Sequence, residues 1–388
     1  MVGAGAAPAR AAARRARRRD RRVYLVSHPV IFALIAAFRG RTVTRLRGTV
    51  LVQGTEAFRE ALTRLSLDRT AQGTTGGLAN AFTKDGVLFD QDGSAHREVR
   101  RSLAADLSAA GVAELRPAWR AVLARRLAAL ADGGDADMVQ VSAELAGATV
   151  CALLGLDAHP IAVARAANAV AAAATREHLP GIHRPGANRA LVAATDDLIR
   201  LLRARRPDFG GAPDVDGMAV MLAIAAVNTT TAGIPRAVAW CADCQLWPDA
   251  DSAERREILA GELLRVTAPT ALLPRVAACD GLVGGRRVRQ GDRLILVARH
   301  AAGAHRAAPD CDWPAPPHVA QLVFGAGSHA CPGAALARAQ LCDMLQMLAP
   351  HRPVVVRARA DRGSGLPSWR SLVVRASTRS RQPADACG

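Results

Sequence analysis

Apolar positions recur with a helical period through most of the chain and alternate with polar ones near both ends. Pro29–Phe38 reads as a short helix. Val43–Leu46 and Val50–Val52, split by Gly48 and Thr49, read as a β-hairpin. Thr55–Leu65 places Phe58, Leu62 and Leu65 on one helical face, and 73–92, rich in Gly, Thr and Asp, reads as a long loop. From His96 to Ala174 the pattern is helical, broken at Gly133-Gly134 and His159-Pro160. Breakers crowd 176–213; Met218–Asp243 and Ser252–Val266 then read as helices, the first with a polar interruption at 228–231. Pro235 is expected to kink or end that helix early. Val288-Arg289, Leu294–Val297, Val354–Arg357 and Ser371–Val374 read as strands, with one more helix at Pro332–Leu348. The class is mainly α with a minor β region, and no internal repeat is visible.

Composition narrows the function. With 388 residues, 50% of them hydrophobic, the chain can bury a large core, which excludes wholesale disorder. Aromatics at 3% argue against a base-stacking surface for single-stranded nucleic acid. The formal charge of +17 is nearly all arginine, since Lys84 is the sole lysine. Residues 1–22 hold eight arginines against Asp20 and read as a disordered, solvated tail, with a minor nucleic-acid alternative. Residues 23–377 are expected to form the folded domain and 378–388 a flexible C-terminal tail.

Arg21-Arg22 followed by apolar Val30–Phe38 imitates an export signal, but that run is far short of the ~20 residues of a spanning helix. A soluble cytoplasmic protein is expected, with no membrane and no nucleic-acid partner. The eight cysteines are scattered too widely for a disulfide scaffold, and Cys241 and Cys244 read as an incidental pair on a helix.

The chemistry concentrates at Phe324-Gly325-Ala326-Gly327-Ser328-His329-Ala330-Cys331-Pro332-Gly333. One cysteine leaves a glycine-rich loop at the start of a helix, where backbone N–H groups and the helix dipole favour a thiolate. The glycines let the backbone approach something flat and bulky, and such a sheltered thiolate suits iron. This stretch resembles the FxxGxxxCxG signature of the cytochrome P450 family of haem-thiolate monooxygenases at every fixed position.

Three further stretches carry the resemblance. Glu262-Leu263-Leu264-Arg265 is similar to the family's ExxR, a structural ion pair at helical i,i+3 spacing. The family completes the pair with a basic residue shortly before the cysteine loop; Pro309–Pro317 holds no Arg or Lys, and His318 is the nearest candidate. Ala225-Ala226-Val227-Asn228-Thr229-Thr230 is similar to the central-helix motif, with Thr229 at the position of the proton-handing alcohol. Asn228 stands in place of the usual acid and cannot supply a proton at neutral pH. The plain alternative is threonines bonding back to the preceding helical turn. His96-Arg97-Glu98-Val99-Arg100 resembles the helix that binds haem propionates through His96 and Arg100, and Arg275 and His329 match the remaining propionate partners.

The resemblance runs from about residue 27 to Val374 and implies a cytochrome P450 fold, a triangular helical haem-binding domain with small β-sheets. It implies heme b with an axial thiolate from Cys331, the haem also contacting Phe324, Gly325 and Gly333. It further implies oxidation of a small organic substrate with altered proton delivery, as in a tailoring step of bacterial secondary metabolism. A ferredoxin or flavodoxin with its reductase would supply electrons to a monomer, met by Arg97, Arg101 and Arg338. Substrate contacts are expected from 76–88, 221–225, Leu272, Leu273 and 364–367. The competing readings are a peroxide-driven peroxygenase and a non-catalytic homologue acting as scaffold or activator of a partner enzyme.

Overall fold

The computed structural model describes residues 6–74, 76–77, 88–178, 186–204 and 217–377. Eleven principal helices are described. Helix α1 (Ala6–Ser27) and α2 (Pro29–Ala37) lead into strands β1 (Val43–Leu46) and β2 (Thr49–Val52), then α3 (Thr55–Thr63) and β3 (Leu67–Asp68). Next come α4 (Gly93–Ser102), α5 (Ala109–Leu127), β4 (Asp135–Asp137), α6 (Met138–Leu154), α7 (Pro160–His178) and α8 (Ala187–Leu202). The long α9 (Gly217–Cys244) and α10 (Ala253–Thr267) precede β5 (Leu272–Ala277), β6 (Gly281–Val283), β7 (Arg286–Val288) and β8 (Arg293–Val297). Helix α11 (Ala334–Leu348), β9 (Val354–Ala360) and β10 (Trp369–Arg375) close the described chain.

Helix ends follow local chemistry. The Asp137 carboxylate accepts the Val139 N–H at 3.0 Å to start α6, and Gly155 ends it in the left-handed region at φ 60°. Ser252 caps α10 through the Arg255 N–H. Gly147 lets α6 pass close to α7, since a Cβ there would lie 1.9 Å from the Pro160 carbonyl oxygen.

Helix α9 runs through the main core beside α6, α7, α1 and α10, with Val227, Ala237, Val238 and Trp240 buried. Among the described residues it alone is long and apolar enough to cross a membrane, and half of its most apolar window is packed inside the protein. Of the two expected effects, kinking or ending the helix, Pro235 does not produce the second. Proline offers no N–H to the carbonyl four residues back, a cost of ~3 kcal/mol. The buried run from Thr231 to Ala242 outweighs that cost.

The described strands form three sheets. One is five-stranded in the order β1-β2-β8-β5-β3, parallel only between β2 and β8; another is β4-β10-β9, and β6-β7 is a hairpin. Strands β3, β4, β5 and β6 were not anticipated from the sequence pattern.

The arginine-rich stretch corrects the expectation of a disordered tail at residues 1–22. Residues 6–27 are one helix whose Ala16, Asp20, Val23 and Tyr24 are buried. Asp20 receives Arg236 Nε of α9 at 2.8 Å and Arg299 at 3.3 Å. Arg236 also reaches the Tyr24 hydroxyl, which donates to the Thr267 carbonyl at 2.8 Å. Burial alone would lower the Arg236 pKa; Asp20 and Tyr24 more than reverse this. Residues 1–5 and 378–388 lie outside the described residues.

Candidate active site around Cys331

The Cys331 loop is built by backbone chemistry. The Cys331 N–H donates to the Phe324 carbonyl at 2.7 Å, and the Ala330 N–H to that of Gly327 at 3.1 Å. Gly325 at φ 80°, ψ −165° and Gly327 at φ 73° occupy backbone regions that L side chains rarely adopt. A Cβ on Gly333 would touch Cys331 Sγ at 3.9 Å. Helix α11 then starts at Ala334 with Gly333 as its N-cap. The Arg338 guanidinium lies 5.4 Å from the Phe324 ring centre and fixes that aromatic beside the loop.

Cys331 is open to solvent, yet protein crowds it enough that burial pushes its thiol up in pKa. The Gly333 N–H and the Arg100 guanidinium act in the opposite direction. Both opposing groups favour a thiolate, the form that binds iron.

Cationic and imidazole groups converge around this loop. Arg100 Nη1 donates to the Ala330 carbonyl at 2.5 Å, tying α4 to the residue before the cysteine. His96 is buried and stacks on His329 with ring centres 3.8 Å apart. Arg275, on β5, donates to the Pro274 carbonyl, and burial lowers its pKa to about 10, with Arg69 adding to the effect. Burial also holds His329 at about 4, again with Arg69 contributing. Arg69 is a member that sequence reasoning missed: one arginine among many carries no signal.

The acid in this cluster is Asp92, 3.6 Å from His329 Nε2 and 3.8 Å from Arg69 Nε, beyond hydrogen-bonding distance in both cases. His96 Nε2, His329 Nε2 and Arg69 Nε are buried without a hydrogen-bond partner. A group that brings two carboxylates would pair them, so the residues present fit the propionates of haem. A cavity of about 400 Å³, bordered by Arg69, Asp90, Asp92 and Val276, flanks the cluster.

The Glu262–Arg265 pair is formed and buried, with Arg265 Nε 2.8 Å from Glu262 Oε1. Among the described residues no third cation completes it. Glu262 instead accepts the backbone N–H groups of Asp310 at 3.3 Å and Ala315 at 3.1 Å, while Arg265 donates to the carbonyls of Ala302 and Ala308. Two N–H dipoles from 310–315 supply what the sequence search sought in a side chain at His318.

On α9, the Thr229 hydroxyl donates to the Ala225 carbonyl at 2.7 Å, the i−4 bond. Its neighbours are also tied. Thr230 meets the Gln340 amide oxygen of α11 at 3.5 Å, and Gln340 donates to Thr149 at 2.9 Å. Thr231 meets Asn168 Oδ1 at 3.2 Å. The Thr230–Gln340 contact links α9 to the helix that follows the cysteine, and nothing in the sequence pattern singled out Gln340. Residues 78–87, part of one expected substrate-facing segment, lie outside the described residues. Cys241 is buried and Cys244 half-buried on α9, and no metal-holding cluster of His, Cys, Asp and Glu occurs among the described residues.

Comparison with known proteins agrees with this reading. No protein-family model matches the chain. Cytochrome P450 165C4 of Amycolatopsis orientalis is 26% identical over 286 residues, covering 68% of this chain and 69% of that protein. A putative cytochrome P450 140 of Mycobacterium tuberculosis is 33% identical over 99 residues, 25% of this chain and 20% of the relative. Among solved structures, a mutant of P450 EryK in complex with erythromycin B superposes with a TM-score of 0.71 at 20% identity, over 92% of this chain and 98% of that one. CYP175A1 from Thermus thermophillus gives 0.72 at 18% identity, over 91% and 96%. The chain thus has the fold of these cytochromes P450 and is similar in sequence to members of that family.

Proposed function

We propose that the chain is a haem-thiolate monooxygenase that oxidises a small organic substrate at a haem held by Cys331. The observation that carries this reading is the solvent-open Cys331 beside buried His96 and His329 nitrogens that lack a hydrogen-bond partner. When bound, haem with a cysteinate ligand supplies dioxygen activation and oxygen insertion.

The chain's own residues would hold and orient that group. Cys331 would supply the sulfur ligand, Gly325, Gly327 and Gly333 leave the loop bare of side chains, and His96, Arg100, Arg275, His329 and Arg69 would take the propionates. Phe324 packs beside the loop. Thr229 holds a hydroxyl proton on the Ala225 carbonyl and can turn it towards a reacting oxygen. Asn228 can donate and accept hydrogen bonds without releasing a proton, so protons would reach Thr229 through water or the substrate. Altered proton delivery is part of this reading.

Leu272, Leu273 and Met221 would present aliphatic surface to the substrate. Arg97 and Arg101 are exposed on α4, on the cysteine side, where an acidic ferredoxin or flavodoxin could approach. The neighbour solved in complex with erythromycin B supports a tailoring step in secondary metabolism. The testing measurement is the reduced, carbon-monoxide-bound absorption spectrum of wild type and Cys331→Ser. The reading expects the red-shifted thiolate band in wild type and its loss in the variant; a wild type without that band overturns it. Turnover with peroxide alone would replace the reductase-fed route.

A further inference from the structure

Helix α1 has a second face besides the one packed on α9. Arg15, Arg18, Arg19 and Arg22 fall at i, i+3, i+4 and i+7, one stripe about 10 Å long at 1.5 Å per residue. The stripe does not face open water alone. It forms one wall of a groove of about 440 Å³, whose other wall is β9, contributing Val355, Val356, Arg357 and Ala358, with Trp369 completing the lining.

Five guanidinium groups therefore border one concavity. Arg19 alone is neutralised, by Asp243 at 2.7 Å. Arg15, Arg18, Arg22 and Arg357 have no ion pair among the described residues. Asp135, whose charge Arg357 also feels, is taken by Arg375 at 2.7 Å. Trp369 is 2% exposed, and its indole N–H has no hydrogen-bond partner, so the groove lining holds a donor the protein does not use. Like charges at i,i+4 destabilise a helix unless an anion lies between them.

We propose that this groove binds the polyphosphate group of a small phosphate ester. A single carboxylate would satisfy one guanidinium fork and leave the rest of the stripe unpaired, whereas a di- or triphosphate spreads several charges along it. The apolar strip of Val355, Val356 and Ala358 offers a surface for the organic part of the ester. The groove's volume lies within the range of small-molecule sites. The site is separate from the Cys331 cluster and shares no residue with it.

The test is calorimetric titration of the full haem-loaded chain with inorganic tripolyphosphate, adenosine triphosphate and adenosine monophosphate at fixed ionic strength. The variants are the Arg18→Ala/Arg357→Ala double and Arg14→Ala, an exposed change on α1 outside the groove. The proposal expects saturable one-to-one binding, with the triphosphate ester tighter than the monophosphate. The double variant should weaken binding by about tenfold or more, and Arg14→Ala by less than about twofold. A thermal melt on each variant confirms that the fold is retained. Equal weakening by Arg14→Ala, binding that never saturates, or a DNA duplex displacing tripolyphosphate at equal phosphate concentration would each overturn it, because each describes a diffuse basic surface.

Discussion

Replacing Glu262 by Gln keeps the side-chain shape and removes one charge from a pair that is 2% exposed on both sides. Arg265 would then be a buried cation facing a neutral amide, a situation that costs ~3–5 kcal/mol. The unfolding entropy of a chain of 388 residues is roughly 0.8 kcal/mol per degree, from about 2.1 cal/mol/K per residue. The melting temperature should therefore fall by about 4–6 °C. The same carboxylate receives the Asp310 and Ala315 N–H groups, so the segment leading to the cysteine loop loosens as well and haem uptake slows. Circular-dichroism melts and stopped-flow haem binding read the two effects. Glu262→Gln combined with Arg265→Met should regain part of the loss, since a buried pair replaced as a unit costs far less than one broken in half. A drop below about 1 °C in the single variant, or a double variant that loses the sum of both singles, would refute the reasoning.

Three other outcomes are expected. Asn228→Asp restores an acid beside Thr229, and acid catalysis contributes roughly 10²-fold or more where it operates. Product formed per electron pair should then change, and unchanged turnover and uncoupling would remove Asn228 from proton delivery. Asp20→Ala leaves Arg236 buried without its carboxylate, at a cost of ~3–5 kcal/mol, and should expose the first helix to protease; an unaltered digestion pattern would contradict the docking. His300 is held at about 3 by burial and then by His305 and nearby arginines, and His305 at about 4 by burial and then by Arg306 and Arg299. Between pH 6.5 and 5 the unfolded chain takes up protons that the folded chain refuses, so stability present above pH 6.5 is lost on acidification. The slope is at most ~1.4 kcal/mol per pH unit per histidine, and urea titrations should show it reduced in His300→Asn. An equal slope in that variant would place the acid sensitivity elsewhere.

Most helices were legible because their apolar positions face one core. The helix expected at 218–243 is observed at Gly217–Cys244, and the hairpin at Val43–Leu46 and Thr49–Val52. The strands that escaped notice are ones whose pattern is not alternating. Strand β5 contains Pro274 and the half-buried Arg275, and β4 is Asp-Ala-Asp, paired only because β10 lies beside it. Such strands owe their existence to a partner far away in sequence.

The same cause hid parts of the site. A cysteine in a glycine-rich loop declares itself locally, because the loop geometry and the thiolate's needs are met by adjacent residues. Arg69, Gln340 and the backbone donors to Glu262 act only through contacts that folding creates. Helix α1 is the sharpest case. Its buried stripe of Ala16, Asp20, Val23 and Tyr24 contains an acid within a basic run, a pattern that reads as surface until Arg236, 216 positions away, is seen to meet it. A buried charge makes sense only with its partner. Charge counting over the first 22 residues therefore measured their composition and missed the fold, since one carboxylate inside the protein decides where eight arginines outside it must stand.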